Sequence, residues 1–379
     1  MRRSRKWLFT LAAVLLFLFC GEFLPEEPLR SKAMVVAFGI DRIEEERLLI
    51  HLQILTGSGN KSETGSNTRV LSAEGSTLGE AAYKISRDTG LAVALTHCNV
   101  VLLGESLLKS PYVYAVLNYL VTNAYLSDNA CLLACQGSAY DVLSSSVGFG
   151  ENAGVYIREI IGMYDSFGDI AGKTIREFVV DYHRIGQTNW LPYMTKKAIG
   201  PEIPSSSGSS QNTEKKDYLF EMNKIAVLIK NDFIGIWYED GTFAVNCLLN
   251  KISKAQFQSE GDHGEKIDWY LLKNDGKLSY DPTSRTVVAK VKIQAIVKEI
   301  IDYSSGNEHV DRLDATETEK ARLEEKIAGI LTSFYTRTQA LNADVFGFRE
   351  GFYSHCRIKE KDLALSEISF VVDVTVQKT

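Results

Sequence analysis

The first twenty residues constrain everything that follows. Arg2, Arg3, Arg5 and Lys6 precede an apolar run over 7–19, interrupted only by Thr10 and closed by Cys20. A charged start followed by a short apolar run is the pattern of a secretory signal. As a helix the run reaches only about 20 Å, short of a ~30 Å hydrocarbon core, so a membrane span is the weaker reading. Trp7 and the arginines would still allow a tilted or thinned one. Cys20 adds a third reading, a bacterial lipoprotein whose thiol takes lipid after cleavage. All three place 21–379 on the far side of a membrane. A buried core helix is disfavoured, because the four cations crowd its first turn, where the helix dipole opposes them.

A chain of 379 residues holds two or three domains. With 45% hydrophobic and 24% charged residues it has the makeup of a globular protein. No second stretch reaches the ~18 uninterrupted apolar residues of a spanning helix, so there is at most one anchor. The net charge of −6 becomes −10 once the four N-terminal cations are set aside. That excludes ordinary nucleic-acid binding, which needs basic patches to displace phosphate counterions, and it keeps the body off anionic lipid.

The cysteines are Cys20, Cys98, Cys131, Cys135, Cys247 and Cys356. With lipid on Cys20 five remain, so at least one is unpaired. Cys131 and Cys135 fall in one expected strand, about 13 Å apart and too far for a disulfide. Without a CxxC pair or a zinc-type cluster, these thiols read as small buried hydrophobes.

Taken in order, the chain predicts an α+β protein. A signal or anchor over 1–24 precedes an N-terminal α/β domain over 30–200 and a Ser-rich linker over 201–216. A small middle domain over 217–285 leads to a C-terminal α+β domain over 286–379. Residues 34–40 and 48–55 predict a hairpin around an acidic turn, followed by a polar loop over 57–67. Thr77 and Glu80 have capping-box spacing ahead of a short helix. Residues 91–103 read as one buried strand, 112–125 as a helix and 130–135 as a strand. Residues 220–229 and 233–237 form a second hairpin. Thr316 and Glu319 cap the longest helix, 316–341, whose Leu323, Ile327, Leu331 and Phe334 repeat at helical steps. It is expected to pack on one face of an antiparallel sheet that includes the alternating terminal strand over 368–377.

Chemistry is hard to find. His51, His97, His183, His263, His309 and His355 include no pair at helical metal spacing. His51 and His97, each in an apolar setting, read as structural histidines. Gly168-Asp-Ile-Ala-Gly-Lys-Thr174 falls one residue short of a phosphate-binding loop and does not follow a strand. Ser144, Ser145 and Ser146 lack a nucleophile elbow. No catalytic residue, metal or cofactor is assigned.

Several stretches together resemble the Ger(x)C family, the lipoprotein C subunits of bacterial spore nutrient-germinant receptors. They are Val36-Ala-Phe-Gly-Ile-Asp41, Gly75-Ser-Thr-Leu-Gly-Glu-Ala81 and Leu95-Thr-His-Cys-Asn-Val-Val-Leu-Leu-Gly-Glu105. After the linker come Ile225-Ala-Val-Leu-Ile-Lys-Asn-Asp-Phe-Ile-Gly235 and Ala343-Asp-Val-Phe-Gly-Phe-Arg349. The resemblance implies a non-catalytic, three-domain protein on the outer face of the spore inner membrane. It would work with two integral membrane subunits that respond to nutrients. It also implies lipid, such as palmitate, on Cys20. The family carries a small residue before that cysteine and Trp-Asp after it, where this chain has Phe19 and Gly21-Glu22. An uncleaved N-terminal helix therefore stands beside lipidation as the anchor.

The alternative is a membrane-tethered solute-binding protein, normally built of two similar lobes of repeated βαβ units. A surface hydrolase would need a nucleophile or metal set that the sequence does not display. Phe346 and Phe348, just beyond the long helix, are core residues or contacts to a partner.

Overall fold

The computed structural model describes residues 32–56, 68–123, 126–147, 152–163, 166–199, 217–303, 314–359 and 363–378. The segment 1–24 with Cys20, the polar loop 57–67 and the linker 201–216 lie outside the described residues.

β1 (Lys32–Glu44) and β2 (Arg47–Leu55) form the expected antiparallel hairpin, and β3 (Thr68–Gly75) pairs with the outer edge of β2. Thr77 then caps α1 (Leu78–Thr89), its hydroxyl accepting the Glu80 N–H. The reciprocal half of the capping box lands one residue early, on the Ser76 N–H and hydroxyl. Residues 91–103 form two strands instead of one, β4 (Ala92–Ala94) and β5 (Val100–Leu103), with a turn between them. The cause lies in β1, which bulges between Val35 and Ala37, so that β4 and β5 pair with it on either side of the irregularity.

The chain continues through α2 (Glu105–Leu108), α3 (Val113–Asn123), β6 (Cys131–Cys135), α4 (Ala139–Leu143), α5 (Ala153–Gly162) and α6 (Ile175–Tyr182). It then enters β7 (Thr188–Ala198), β8 (Tyr218–Ile229) and β9 (Asp232–Trp237). The first sheet has the order β3-β2-β1-β5-β6-β7-β8-β9, with β1, β5, β6 and β7 parallel and antiparallel strands on both flanks. Its central strands are buried on both faces, as a parallel sheet requires. α1, α3 and α6 cover one face and α4 and α5 the other.

α7 (Glu239–Leu248) leads to the second sheet of β10 (Ala255–Glu260), β11 (Lys266–Asp281), β12 (Thr286–Ile301) and β13 (Ser369–Lys378), in that order. Between β12 and β13 lie the long helix α8 (Glu317–Ala340) and the shorter α9 (Phe348–Cys356). The expected capping box of Thr316 and Glu319 opens α8, which lays Leu323, Ile327, Leu331 and Phe334 on the sheet. The sheet is antiparallel across β10, β11 and β12, but β13 runs parallel to β12. A helical crossover returns the chain to the same end of the sheet, so the last strand cannot reverse direction.

The segment 217–285, expected as a middle domain, divides its strands between the two sheets. The expected linker boundary also changes character. Ala198 pairs with Tyr218, and the Ile199 N–H donates to Asp217 O at 3.0 Å, so the strands on either side of 201–216 are antiparallel neighbours in the first sheet. One hydrophobic core joins both halves: Trp190, Ile225, Val227 and Trp237 of the first sheet pack with Ile267 and Val291 of the second and Phe334 of α8.

Candidate functional site

Asp41 lies where β1 leaves the parallel part of the sheet, and its carboxylate gathers the ends of several strands. Its Oδ2 accepts from His51 Nε2 at 3.0 Å and from the Ser138 hydroxyl at 2.6 Å. The Ala139 N–H donates to both oxygens at 3.0 and 3.1 Å. His51 Nδ1 in turn lies 2.7 Å from Ser72 Oγ on β3. Burial works to raise the Asp41 carboxyl, but the bonds from His51, Ser138 and Ala139 outweigh it and hold the group below the usual carboxylate range. At 1% exposure His51 is a satisfied structural histidine, as its place in a strand suggests.

The distances are those of a serine–histidine–aspartate relay. Its chemistry needs a backbone donor beside the nucleophilic hydroxyl for a developing oxyanion, whereas the Ala139 N–H serves Asp41, at the opposite end from Ser72. The cluster instead ties strands together. Glu105 N–H donates to Gly137 O at 2.8 Å and its carboxylate accepts the Gly137 N–H at 3.1 Å, while the Arg42 N–H reaches Ser106 Oγ at 2.9 Å.

On the opposite face of β2, a cleft of about 510 Å³ opens between the β1–β2 turn, the start of α1 and α3. Leu48, Leu78, Ala115 and Val116 line it, with Tyr112, Tyr119, Glu45 and Glu46 around them. The volume lies within the range of small-molecule sites.

The Gly168–Thr174 stretch turns its lysine inward. Lys173 Nζ lies 2.6 Å from both Asp181 Oδ2 and Asn189 Oδ1 and 4.4 Å from the centroid of the Trp190 ring. Burial pushes Lys173 down to about 8 despite Asp181. A cation so enclosed is not presented to a phosphate. Burial likewise pushes the Cys98 and Cys247 thiols up to about 12. Cys131 and Cys135 are buried and free, and among the described residues no group of histidines, cysteines and carboxylates could hold a metal.

Residues 26–196 match the spore germination protein N-terminal domain, and 223–379 match the spore germination B3/GerAC-like C-terminal domain. This chain belongs to the Ger(x)C spore germination family. The crystal structure of the GerBC protein has the same fold, with a TM-score of 0.51 over 92% of this chain and 99% of that one, at 15% identity. No curated protein matches the chain.

The Ger(x)C stretches seen in the sequence converge in space. Val36–Asp41 and the 95–105 stretch meet at Asp41 and Gly104, whose N–H donates to Ile40 O at 2.9 Å. Near the C-terminus, Asp344 caps α9, its two oxygens accepting the Phe348 N–H at 2.8 Å and the Arg349 N–H at 2.9 Å. Its own N–H donates to Thr188 Oγ1 at 2.9 Å, joining the second sheet's helical layer to the start of β7. Phe346 and Phe348 are 8% and 0% exposed and pack with Phe334, Tyr335 and Phe370. The chain's own core covers both rings, the first of the two readings offered for them. Cys20 lies outside the described residues, and among those no helix is long and apolar enough to cross a membrane. The role of Asp41 escaped sequence reasoning: its signals were a polar residue closing the apolar run over 34–40 and its place at the end of the Val36–Asp41 stretch.

Proposed function

We propose that this Ger(x)C protein is a non-catalytic, membrane-tethered subunit of a spore germinant receptor, required for nutrient-triggered germination. The observation that carries the reading is the ordered match of both germination domains, which leaves only 1–25 and 197–222 uncovered. It would be held by its N-terminus on the extracytoplasmic face of the spore membrane and work with two integral membrane subunits. The engagement of His51, Asp41 and Lys173 in internal contacts supports a role without catalysis. The solute-binding alternative draws no support, because the two sheets differ in strand number and order and are not similar lobes.

Deleting the gene in the native spore-former is expected to reduce germination in response to nutrients. Normal germination in a strain without a redundant paralogue overturns the reading. Mass spectrometry of the mature N-terminus decides the anchor: lipid on Cys20 is the family pattern, whereas an intact Met1 rules out lipoprotein processing.

A further inference from the structure

We propose that the cleft between the β1–β2 turn, α1 and α3 is a binding site for a small organic cation, an amine or guanidinium carried on an apolar body. The inference stands on the cleft and does not depend on receptor membership.

Three features support it. The first is shape and lining: about 510 Å³ walled by Leu48, Leu78, Ala115 and Val116, enough to enclose a small apolar body. The second is the pair of tyrosines at its rim. Tyr112 and Tyr119 are 44% and 37% exposed, large rings that core packing leaves half uncovered. A cation already sits against one of them, the Arg42 guanidinium 5.4 Å from the Tyr112 centroid. Tyr119 leans over the first turn of α1, where a side chain on Gly79 would meet its hydroxyl at 3.0 Å. The glycine leaves room for the ring to line the cleft.

The third is the balance of charge. Of the charged residues lining the cleft, Arg47 is committed, its guanidinium 2.7 Å from Glu74. Glu45 and Glu46 have no ion-pair or hydrogen-bond partner among the described residues. Among the residues that line the cleft, the uncommitted charge is therefore wholly negative, beside an apolar floor. A ligand with an apolar body and one positive head satisfies both, whereas an anionic ligand of the same shape meets two unpaired carboxylates. Tyrosine faces beside carboxylates add cation–π attraction to the ion pair.

Isoamylamine, isoamyl alcohol and isocaproate share one branched apolar body and differ in charge, so they separate the contributions. Full-length protein purified in detergent is titrated with each by ligand-observed NMR. The amine is expected to bind saturably and at least about fivefold more tightly than the alcohol or the carboxylate, the gain available from exposed charges. The double substitution Glu45→Gln, Glu46→Gln is expected to bring the amine to the alcohol's affinity while leaving circular dichroism and melting unchanged, since both side chains are exposed and unpaired. Tyr119→Ala weakens amine and alcohol together, which places the apolar body in this cleft. Equal binding of isocaproate, amine binding indifferent to the double substitution, or no saturable binding of any probe each overturns the proposal.

Discussion

Gly104 approaches Asp41 so closely that a methyl group on its Cα would stand 1.6 Å from Asp41 Oδ1 and 3.2 Å from Ala139 N. The carboxylate needs that space to accept from His51, Ser138 and Ala139 at once. Gly104→Ala is expected to cost about 2–4 kcal/mol through overpacking and lost hydrogen bonds to a buried charge. Gly90→Ala is the control, because a Cβ there meets open space and only the φ of 71° opposes it, worth about 1 kcal/mol. Urea denaturation of both variants measures the difference, and equal midpoints would refute the account of the Asp41 cluster.

Asp344 holds α9 and the start of β7 in one network. Asp344→Ala leaves the Phe348 and Arg349 N–H groups without their acceptor in a buried setting and is expected to cost about 2–4 kcal/mol. Thr188→Val, which removes only the acceptor of the Asp344 N–H, should cost less, about 1–2 kcal/mol. If the Asp344 change unfolds only one half of the molecule, the joint does less than the geometry implies. A single, lower melting transition is the outcome expected of a joint that serves both halves.

Two buried groups make stability rise with pH, each in its own window. The folded pKa of Asp41 lies below its ordinary value, so the stability it contributes is complete above that ordinary value and is lost as pH falls through the folded one. Asp41→Asn should flatten the acid limb of stability against pH. Lys173 is depressed to about 8 from 10.5, so between those values the unfolded chain holds a proton the native one has released. Stability therefore rises with pH across that window, and Lys173→Met should abolish the rise. Persistence of the same slope in the methionine variant would assign it to another group.

Phe348→Ala should cost about 3–5 kcal/mol, the range for a fully buried aromatic ring, and Phe346→Ala slightly less because its ring is not wholly covered. Chemical denaturation is the measurement. A Phe348→Ala protein of unchanged stability would restore the partner-contact reading that burial in the core removes.

The long elements were legible before any coordinates. The α8 register, its Thr316–Glu319 box and the alternation in β13 follow from three- and two-residue periods that local sequence carries in full. The divided strand over 91–103 was not legible, because its break answers to a bulge in β1, far away in sequence. The parallel sense of β13 depends on the same kind of distant partner. Composition was silent on one point over 201–216: a serine-rich stretch signals a lack of tethering side chains, but not whether its ends meet. The cleft gave no motif at all, since the turn that carries Glu45, the start of α1 and the α3 segment that carries Tyr112 and Tyr119 are separate stretches brought together by packing.

The pairing of Ala198 with Tyr218 changes what a cut in the serine-rich stretch would do. A protease acting there would leave two fragments still zipped along β7 and β8 and still sharing one core. The nicked molecule should travel as a single particle on gel filtration and separate only in denaturant. By the same geometry, longer insertions at this site would add only about 0.6 kcal/mol for each doubling of the loop. The stretch is thus a natural splice point, suited to carrying a reporter or affinity tag without parting the two halves.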